Sequence, residues 1–251
     1  MSKKNLLICG ATGFIGRNMA EYFARQDRYN VIGVYHKKPA FDFPGITWRQ
    51  ADLRNPEQVS MVLKGVDLLI QAAATTSGSS DIVNTPEIHI TDNAVMNSYL
   101  LRSALNNRLE HFIFFSCAAI LQSSPNGLDE TAFNGEIHKN YFGAGWTKAY
   151  IEKMCEFYAQ QGKTRHTVIR HSNIYGPYDK YDLEHSHVFG ATVTKTLTAK
   201  ENGKMIVWGS GEESRDLLHV ADLVDFVDCV LQRQKQDFEL INCGYGSAIS
   251  I

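Results

Sequence analysis

Apolar residues recur along the chain in two alternating rhythms. Short β-branched or aliphatic runs at 6–9, 31–35, 67–72, 111–116 and 167–170 have the length and composition of buried strands. Between them lie stretches with a period near 3.6. Over 146–161, Ile151, Met154, Cys155 and Tyr158 recur at i, i+3, i+4 and i+7, which puts them on one face of a helix. Strands that alternate with helices predict a parallel, doubly wound α/β sheet. After Arg170 the rhythm loosens into a loop rich in Tyr, His, Gly and Asp over 171–187, then a helical stretch towards Lys200. This divides the chain into a domain over 1–170 and a smaller lobe over 171–251, with 205–242 returning to the sheet. There are no internal repeats, low-complexity tracts or long linkers, so the two parts are expected to share one interface. The last residues, after the turn-like Gly244-Tyr245-Gly246, read as the start of a further strand or helix, and a C-terminal segment is expected beyond Ile251.

Composition narrows the function classes. With 251 residues, 44% apolar content and a net charge of -2, the chain can bury a large core and is no globally basic nucleic-acid binder. A small-molecule partner is expected instead. The five cysteines, Cys9, Cys117, Cys155, Cys229 and Cys243, show no CxxC or zinc-type spacing, so no metal site is predicted and a reducing cytoplasm is the simplest setting. The apolar run at 5–9 stops at Gly10, far short of a signal core or a membrane span.

The most specific local feature is NLLICGATGFIGRNMAEYF, in which Gly10, Gly13 and Gly16 stand between a strand and a helix. Glycines let the backbone turn tightly and approach a pyrophosphate, while the free amides at a helix start attract its charge. The GATGFIG spacing resembles the extended branch of the short-chain dehydrogenase/reductase superfamily, which implies a Rossmann-type sheet with Thr12, Phe14 and Ile15 also beside the cofactor. In that resemblance Asp52-Leu53 matches the pair that holds adenine, and Ala72-Ala73-Ala74 matches the small-residue turn that lets the cofactor reach the sheet edge. Read alone, Asp52 serves equally well as the cap of a helix beginning at Pro56. NAD-selective members place an acid at the end of the second strand, but this chain has His36, Lys37 and Lys38 there. Those residues favour the 2′-phosphate of NADP, with NAD as the alternative.

Two later segments, NIYGPYDKYDLEHSHVFGATVTK and MIVWGSGEESRDLLHVADL, resemble the substrate lobe of nucleotide-sugar enzymes of the GDP-fucose synthase type. The resemblance implies that Arg215 and Trp208 help to bind the nucleotide diphosphate sugar, with Asn173 beside the substrate. Lys195 falls where relatives carry an arginine, keeping the charge but losing the planar fork. His187 matches a histidine that moves protons during epimerisation. The bland readings are also chemically open: Trp208 as core, Arg215 paired with Asp216 or Glu213, and His187 as a structural residue.

The pattern breaks at the chemistry. The superfamily uses Tyr–x–x–x–Lys on one helix face and a Ser or Thr at the end of the preceding strand. Lys148 matches the lysine, but four residues earlier stands Ala144. The Ser/Thr position falls on Cys117, with Ser116 adjacent, and the cysteine acid/base of the resembling epimerases falls on Ala119. Tyr141, seven residues before Lys148, would lie roughly 10 Å away along a helix and cannot replace the missing phenol. Either the site has diverged to a task that spares this Tyr, or the residue has been substituted.

Together these features predict an NADP(H)-dependent nucleotide-sugar reductase or epimerase, acting on a GDP-linked 4-keto sugar with an atypical site. Lys148 would orient the nicotinamide ribose, Cys117 or Ser116 would contact the sugar oxygen, and His187 would move protons. The alternative is a catalytically weak sugar-nucleotide or dinucleotide-binding sensor or partner subunit. The resemblance also implies a homodimer paired through helices over 92–107 and 146–161, while cysteine usage, charge and the short apolar runs predict a cytoplasmic protein with neither nucleic acid nor membrane as partner.

Overall fold

A computed structural model of the chain describes residues 2–75, 87–122, 124, 127–183, 186–203, 205 and 211–250. Seven strands form one sheet in the order β3-β2-β1-β4-β5-β6-β9. They are β1 (Lys4–Cys9), β2 (Tyr29–Tyr35), β3 (Ile46–Gln50), β4 (Leu68–Gln71), β5 (His111–Cys117), β6 (Arg165–His171) and β9 (Phe238–Cys243). Every neighbouring pair is parallel. A second, three-stranded sheet joins β7 (Asn173–Tyr175), β8 (Ser214–His219) and β10 (Ala248–Ser250), with β8 parallel to β7 and antiparallel to β10.

The period of two along each strand sorts side chains into two cores. Leu6, Ile8, Ile113, Phe115 and Ile169 face the helices α1 (Phe14–Ala24) and α6 (Val220–Arg233), packing with Met19, Phe23, Leu223 and Val227. Leu7, Cys9, Phe112, Phe114 and Val168 face the other way. They meet α2 (Pro56–Val62), α3 (Glu87–Asn106) and α4 (Phe142–Gln161) through Val59, Leu100, Ile151 and Cys155. A sheet buried on both faces explains why its strands read as continuous apolar runs. Helix α5 (Val188–Asn202) lies beyond the sheet in sequence, between β7 and β8.

Three expectations change. Helix α4 begins at Phe142 rather than 146, although Gly143 and Gly145 are poor helix formers. A Cβ at Gly145 would stand 2.7 Å from Ile137 Cγ2, so close packing holds these glycines in the helix. Helix α3 likewise begins at Glu87, five residues before the expected start. The edge strand β3 and the strands β7 to β10 were absent from the predicted set, which after Arg170 held only a return to the sheet within 205–242. In β3, Ile46 and Trp48 alternate with Thr47 and Arg49, a half-buried pattern that competes poorly with the fully apolar runs.

The base of the sheet holds a buried polar network. His111 Nε2 lies 2.7 Å from Thr167 Oγ1 and 3.1 Å from Gln234 Oε1, and Gln234 Nε2 donates to the His166 carbonyl at 3.1 Å. Burial pushes His111 down to about 3, with the Arg165 charge adding to the effect, and His166 down to about 4. Both imidazoles are therefore neutral in the folded chain. The unfolded chain takes up these protons near pH 6.5, so the stability they contribute is full above that pH and declines towards pH 4. At pH 4.5 the loss is about 2–3 kcal/mol per histidine. Melting temperature should fall by many degrees between pH 7 and 4.5, and much less in a His111→Gln, His166→Gln variant; parallel profiles would remove the histidines as the cause.

Candidate active site

The glycine turn fits a dinucleotide. Gly10 adopts φ +70, and a Cβ there would lie 2.7 Å from Ala73 Cα and 2.9 Å from the Ala72 carbonyl carbon. A Cβ on Gly16 would lie 2.2 Å from the Gly10 carbonyl oxygen. The turn from β1 into α1 is thus pressed against the Ala72-Ala73-Ala74 segment after β4, leaving no room for larger residues. Gly13 caps α1 with no side-chain acceptor, and the first turn carries no acid. Amides and helix dipole there remain directed at an incoming anion. Thr12 is buried, while Gly13 is exposed and Phe14 and Ile15 are partly so.

Where β2 ends, His36, Lys37 and Lys38 are exposed. His36 Nε2 lies 3.7 Å from Asp52 Oδ2. The Asp52 carboxylate also accepts from the Arg54 amide, Nε and Nη2 at 3.0, 3.0 and 2.9 Å, and these bonds hold its pKa down to about 2. Asp52 does not cap the next helix. Asn55 does so, accepting from the amides of Glu57 and Gln58 at 2.9 and 3.1 Å. Leu53 is buried in the core behind this turn. Arg54, which also reaches Asp92 at 2.9 Å, adds a cation that the sequence reading did not single out.

Helix α4 carries the expected Lys148 and the alanine before it. Ala144, Lys148 and Glu152 stand one turn apart along one side. Glu152 makes a bidentate pair with Arg170 of β6, at 3.0 and 2.7 Å, with both side chains 4% exposed. Arg170 Nη1 also donates to the Glu130 carbonyl at 3.0 Å. This pair fixes the rotation of α4 and so aims Lys148 at the end of β5. Lys148 Nζ donates to the Phe115 carbonyl at 2.6 Å and lies 4.7 Å from the Phe114 ring centroid. Burial lowers its pKa, while Cys117 and Glu152 oppose the shift.

Cys117 ends β5, and the amides of Ala119 and Ile120 in the following turn donate to its sulfur. Burial raises the thiol pKa, against the pull of the Lys148 charge and these amides. Ser116 points to the opposite face and is fully buried, with no hydrogen-bond partner for Oγ. Of the two candidates, only Cys117 is partly open. Ala119 is exposed. Tyr141 sits at the N-cap of α4, its ring 6.0 Å from His138.

In the smaller sheet, Asn173 Nδ2 donates to the Asp216 carbonyl at 3.3 Å. The Asp216 carboxylate accepts the Tyr245 and Gly246 amides at 2.9 and 2.7 Å, so it is already engaged by backbone. Arg215 is exposed, donating to the Ser214 carbonyl at 2.7 Å. Its strand partner Ile249 lines a cavity of about 330 Å³ with Tyr175, Phe189, Leu217, His219 and Tyr245. Arg215 thus stands at the rim of an aromatic slot. His187 is exposed at the N-cap of α5, and Lys195 lies half-buried on that helix. Trp208 falls outside the described residues. A further cavity of about 610 Å³, lined by Phe133, Trp146, Tyr150 and Leu240, lies over the Arg170–Glu152 pair and contains none of the expected site residues.

The sequence profile of the NAD dependent epimerase/dehydratase family matches residues 6–244. The chain belongs to this family. Within this extended short-chain dehydrogenase/reductase group, GDP-L-colitose synthase of Yersinia pseudotuberculosis is 25% identical over 98% of this chain and 78% of that protein. GDP-L-fucose synthase of Sinorhizobium fredii is 26% identical over 99% and 76%. UDP-glucose 4-epimerase of Thermotoga maritima, solved with UDP-glucose, shares the fold with a TM-score of 0.84 at 22% identity, covering 98% of this chain and 78% of that one. UDP-glucuronic acid 4-epimerase of Bacillus cereus, solved with UDP-glucuronic acid and NAD, gives 0.82 at 21% identity, covering 98% and 79%.

Besides Arg54, Glu152 and Arg170, one more residue near this site escaped the sequence reading. His171 is the strand partner of Cys117 and had been placed at the start of a loop. Its position as the last residue of a buried strand, two before Asn173, was the available signal.

Proposed function

We propose that this epimerase/dehydratase family member binds NADP(H) and exchanges hydride with a GDP-linked 4-keto sugar, as a reductase or epimerase. The observation that carries the reading is the placement of Lys148, locked by the Arg170–Glu152 pair, against the end of β5 beside Cys117. The GDP-sugar names of two relatives support a GDP-linked substrate, and Arg215 at the rim of the aromatic slot suits a diphosphate beside a base. Bound nicotinamide would supply or take the hydride. Lys148 orients its ribose, Cys117 contacts the sugar oxygen, and Asn173, Lys195 and Trp208 help to hold the sugar nucleotide. A homodimer is the expected assembly, because α4 exposes Phe142, Trp146, Tyr150 and Phe157 along its outer side. Among the described residues no helix is long and apolar enough to cross a membrane; a cytoplasmic location is part of this reading.

Ala144, where the resembling enzymes carry a tyrosine, favours one second reading, a slow or inactive member that serves as a binding subunit. Single-turnover loss of NADPH absorbance with a GDP-linked 4-keto-6-deoxyhexose separates the two. If His36, Lys37 and Lys38 receive a 2′-phosphate, NADPH should bind several-fold more tightly than NADH, with the difference shrinking as salt rises. Equal affinities at low salt would sink the NADP assignment while leaving hydride exchange intact.

A further inference from the structure

The site that lacks a phenol holds a buried base. His171 ends β6 beside Cys117, the two paired in register across β5 and β6, so their side chains leave the same face of the sheet. The imidazole is half-buried, with its ring edge-on to Phe115 at 6.2 Å. Nδ1 lies 2.7 Å from the Ser172 carbonyl oxygen. A carbonyl only accepts, so Nδ1 carries the proton and Nε2 keeps its lone pair. The charges of Lys148 and His187 both lower the pKa of this ring. The neighbouring strand on the other side contributes Cys243, the register partner of His171 in β9.

We propose that His171 is the proton carrier of this site, its Nε2 exchanging a proton with the sugar oxygen that relatives serve with a tyrosine. The proposal rests on the hydride-exchange reading above. Reduction of a sugar carbonyl consumes one hydride, which the reduced nicotinamide provides, and one proton. The proton leaves the Nε2–H of the imidazolium as the sugar O–H bond forms, and a neutral imidazole remains. In the oxidative direction the neutral ring takes the same proton as the hydroxyl becomes a carbonyl.

Three structural features suit this role. The Ser172 carbonyl fixes the tautomer, so no ring flip is needed between turnovers. Lys148, whose Nζ reaches the Phe115 carbonyl two residues before Cys117, supplies a cation at this strand end. Ala144, on the adjoining helix, carries no group that would compete for this proton. His187, the histidine implied by resemblance, is exposed at the cap of α5 and carries no fixed hydrogen bond to its ring from that cap. The pH dependence follows from the groups around His171. Burial holds its pKa down to about 4; the Ser172 carbonyl opposes this, and Lys148 and His187 add to it. Burial likewise raises the flanking thiols of Cys117 and Cys243, so they stay protonated over the neutral range. The imidazolium fraction therefore grows as pH falls, and reductive hydride transfer should rise by up to about tenfold per unit between pH 8 and 5.

The test uses the full chain, with GDP-linked and UDP-linked 4-keto-6-deoxyhexoses as probes and single-turnover NADPH absorbance as readout. His171→Asn keeps a donor for the Ser172 carbonyl but has no basic nitrogen. It should lower hydride transfer by about 10²–10⁴ and flatten the pH profile, with NADPH affinity unchanged. Adding Ala144→Tyr to His171→Asn should restore most of the rate, which a purely structural role for His171 would not allow. In the cofactor-free protein, ¹⁵N shifts should show a protonated Nδ1 and a lone-pair Nε2, and Nε2 should respond to the GDP-linked probe. A wild-type rate retained in His171→Asn, a loss that Ala144→Tyr leaves uncorrected, or a protonated Nε2 tautomer would each overturn the assignment while hydride exchange stands. Wild-type protein inert to both probes would overturn the hydride-exchange reading, and the role of His171 with it.

Discussion

Ala144→Tyr should raise hydride transfer from NADPH to a GDP-linked 4-keto sugar by about 10²-fold at pH 8, and by less at pH 5. A positioned general acid contributes about 10² to 10⁴ in rate. Ala144 lies one turn before Lys148 on α4, so a phenol placed there would share its helix face with an ammonium. The positive charge favours phenolate and lowers the phenol pKa towards the working range. The gain is largest at alkaline pH, where the His171 imidazole is almost wholly unprotonated and supplies few protons. NADPH affinity should change little, because the residue lies away from the glycine turn proposed to receive the diphosphate. Single-turnover absorbance measured across pH 5–8 decides the matter. A variant slower than wild type at every pH would show that the sugar occupies the space beside Ala144, so that a larger residue blocks it.

Glu152→Ala should cost about 3–5 kcal/mol of stability, a third or more of what a domain usually has. The cause is the partner left behind. Arg170 is 4% exposed, and without Glu152 its guanidinium keeps only the Glu130 carbonyl among the hydrogen bonds described above. Removing one member of a buried pair strands a charge in a poor solvent. The midpoint of urea unfolding should fall with little change in slope. Glu152→Gln, which keeps the shape and an acceptor, should lose less. Because Glu152 stands one turn after Lys148, the alanine variant should also slow hydride transfer below the unfolding transition, as α4 loses the contact that sets its rotation. A loss under about 1 kcal/mol would mean that water reaches Arg170 and that the pair has no such role.

The order in which the chain could be read follows how local each signal is. The glycine turn was legible because its requirement is backbone geometry: Gly10, Gly13 and Gly16 keep that meaning wherever a strand meets a helix, and the structure supplies the reason in the 2.7 Å approach to Ala73. The five central strands were legible because both of their faces are buried, which leaves long apolar runs. Edge strand β3 was hidden because one of its faces meets water. The early start of α4 was hidden because Gly143 and Gly145 oppose a helix locally, and packing against Ile90 and Ile137 holds them there.

At the site, resemblance to the superfamily's Tyr–x–x–x–Lys and Ser/Thr pattern gave Lys148, the alanine one turn before it, and the choice between Ser116 and Cys117. It could not choose between those two, because adjacent strand residues part to opposite faces and which face is the crevice depends on the whole sheet. The same holds for Asp52, whose place beside Arg54 and His36 rather than at a helix cap is set by two loops folding together. The identity of the residues fixed the alternating α/β order and the anion-binding turn, since propensity, periodicity and glycine's conformational freedom act within a few residues. Only the tertiary structure brought His171 to Cys117 and Arg170 to Glu152, because partners 54 and 18 residues apart meet through strand register and helix rotation, which no local pattern encodes.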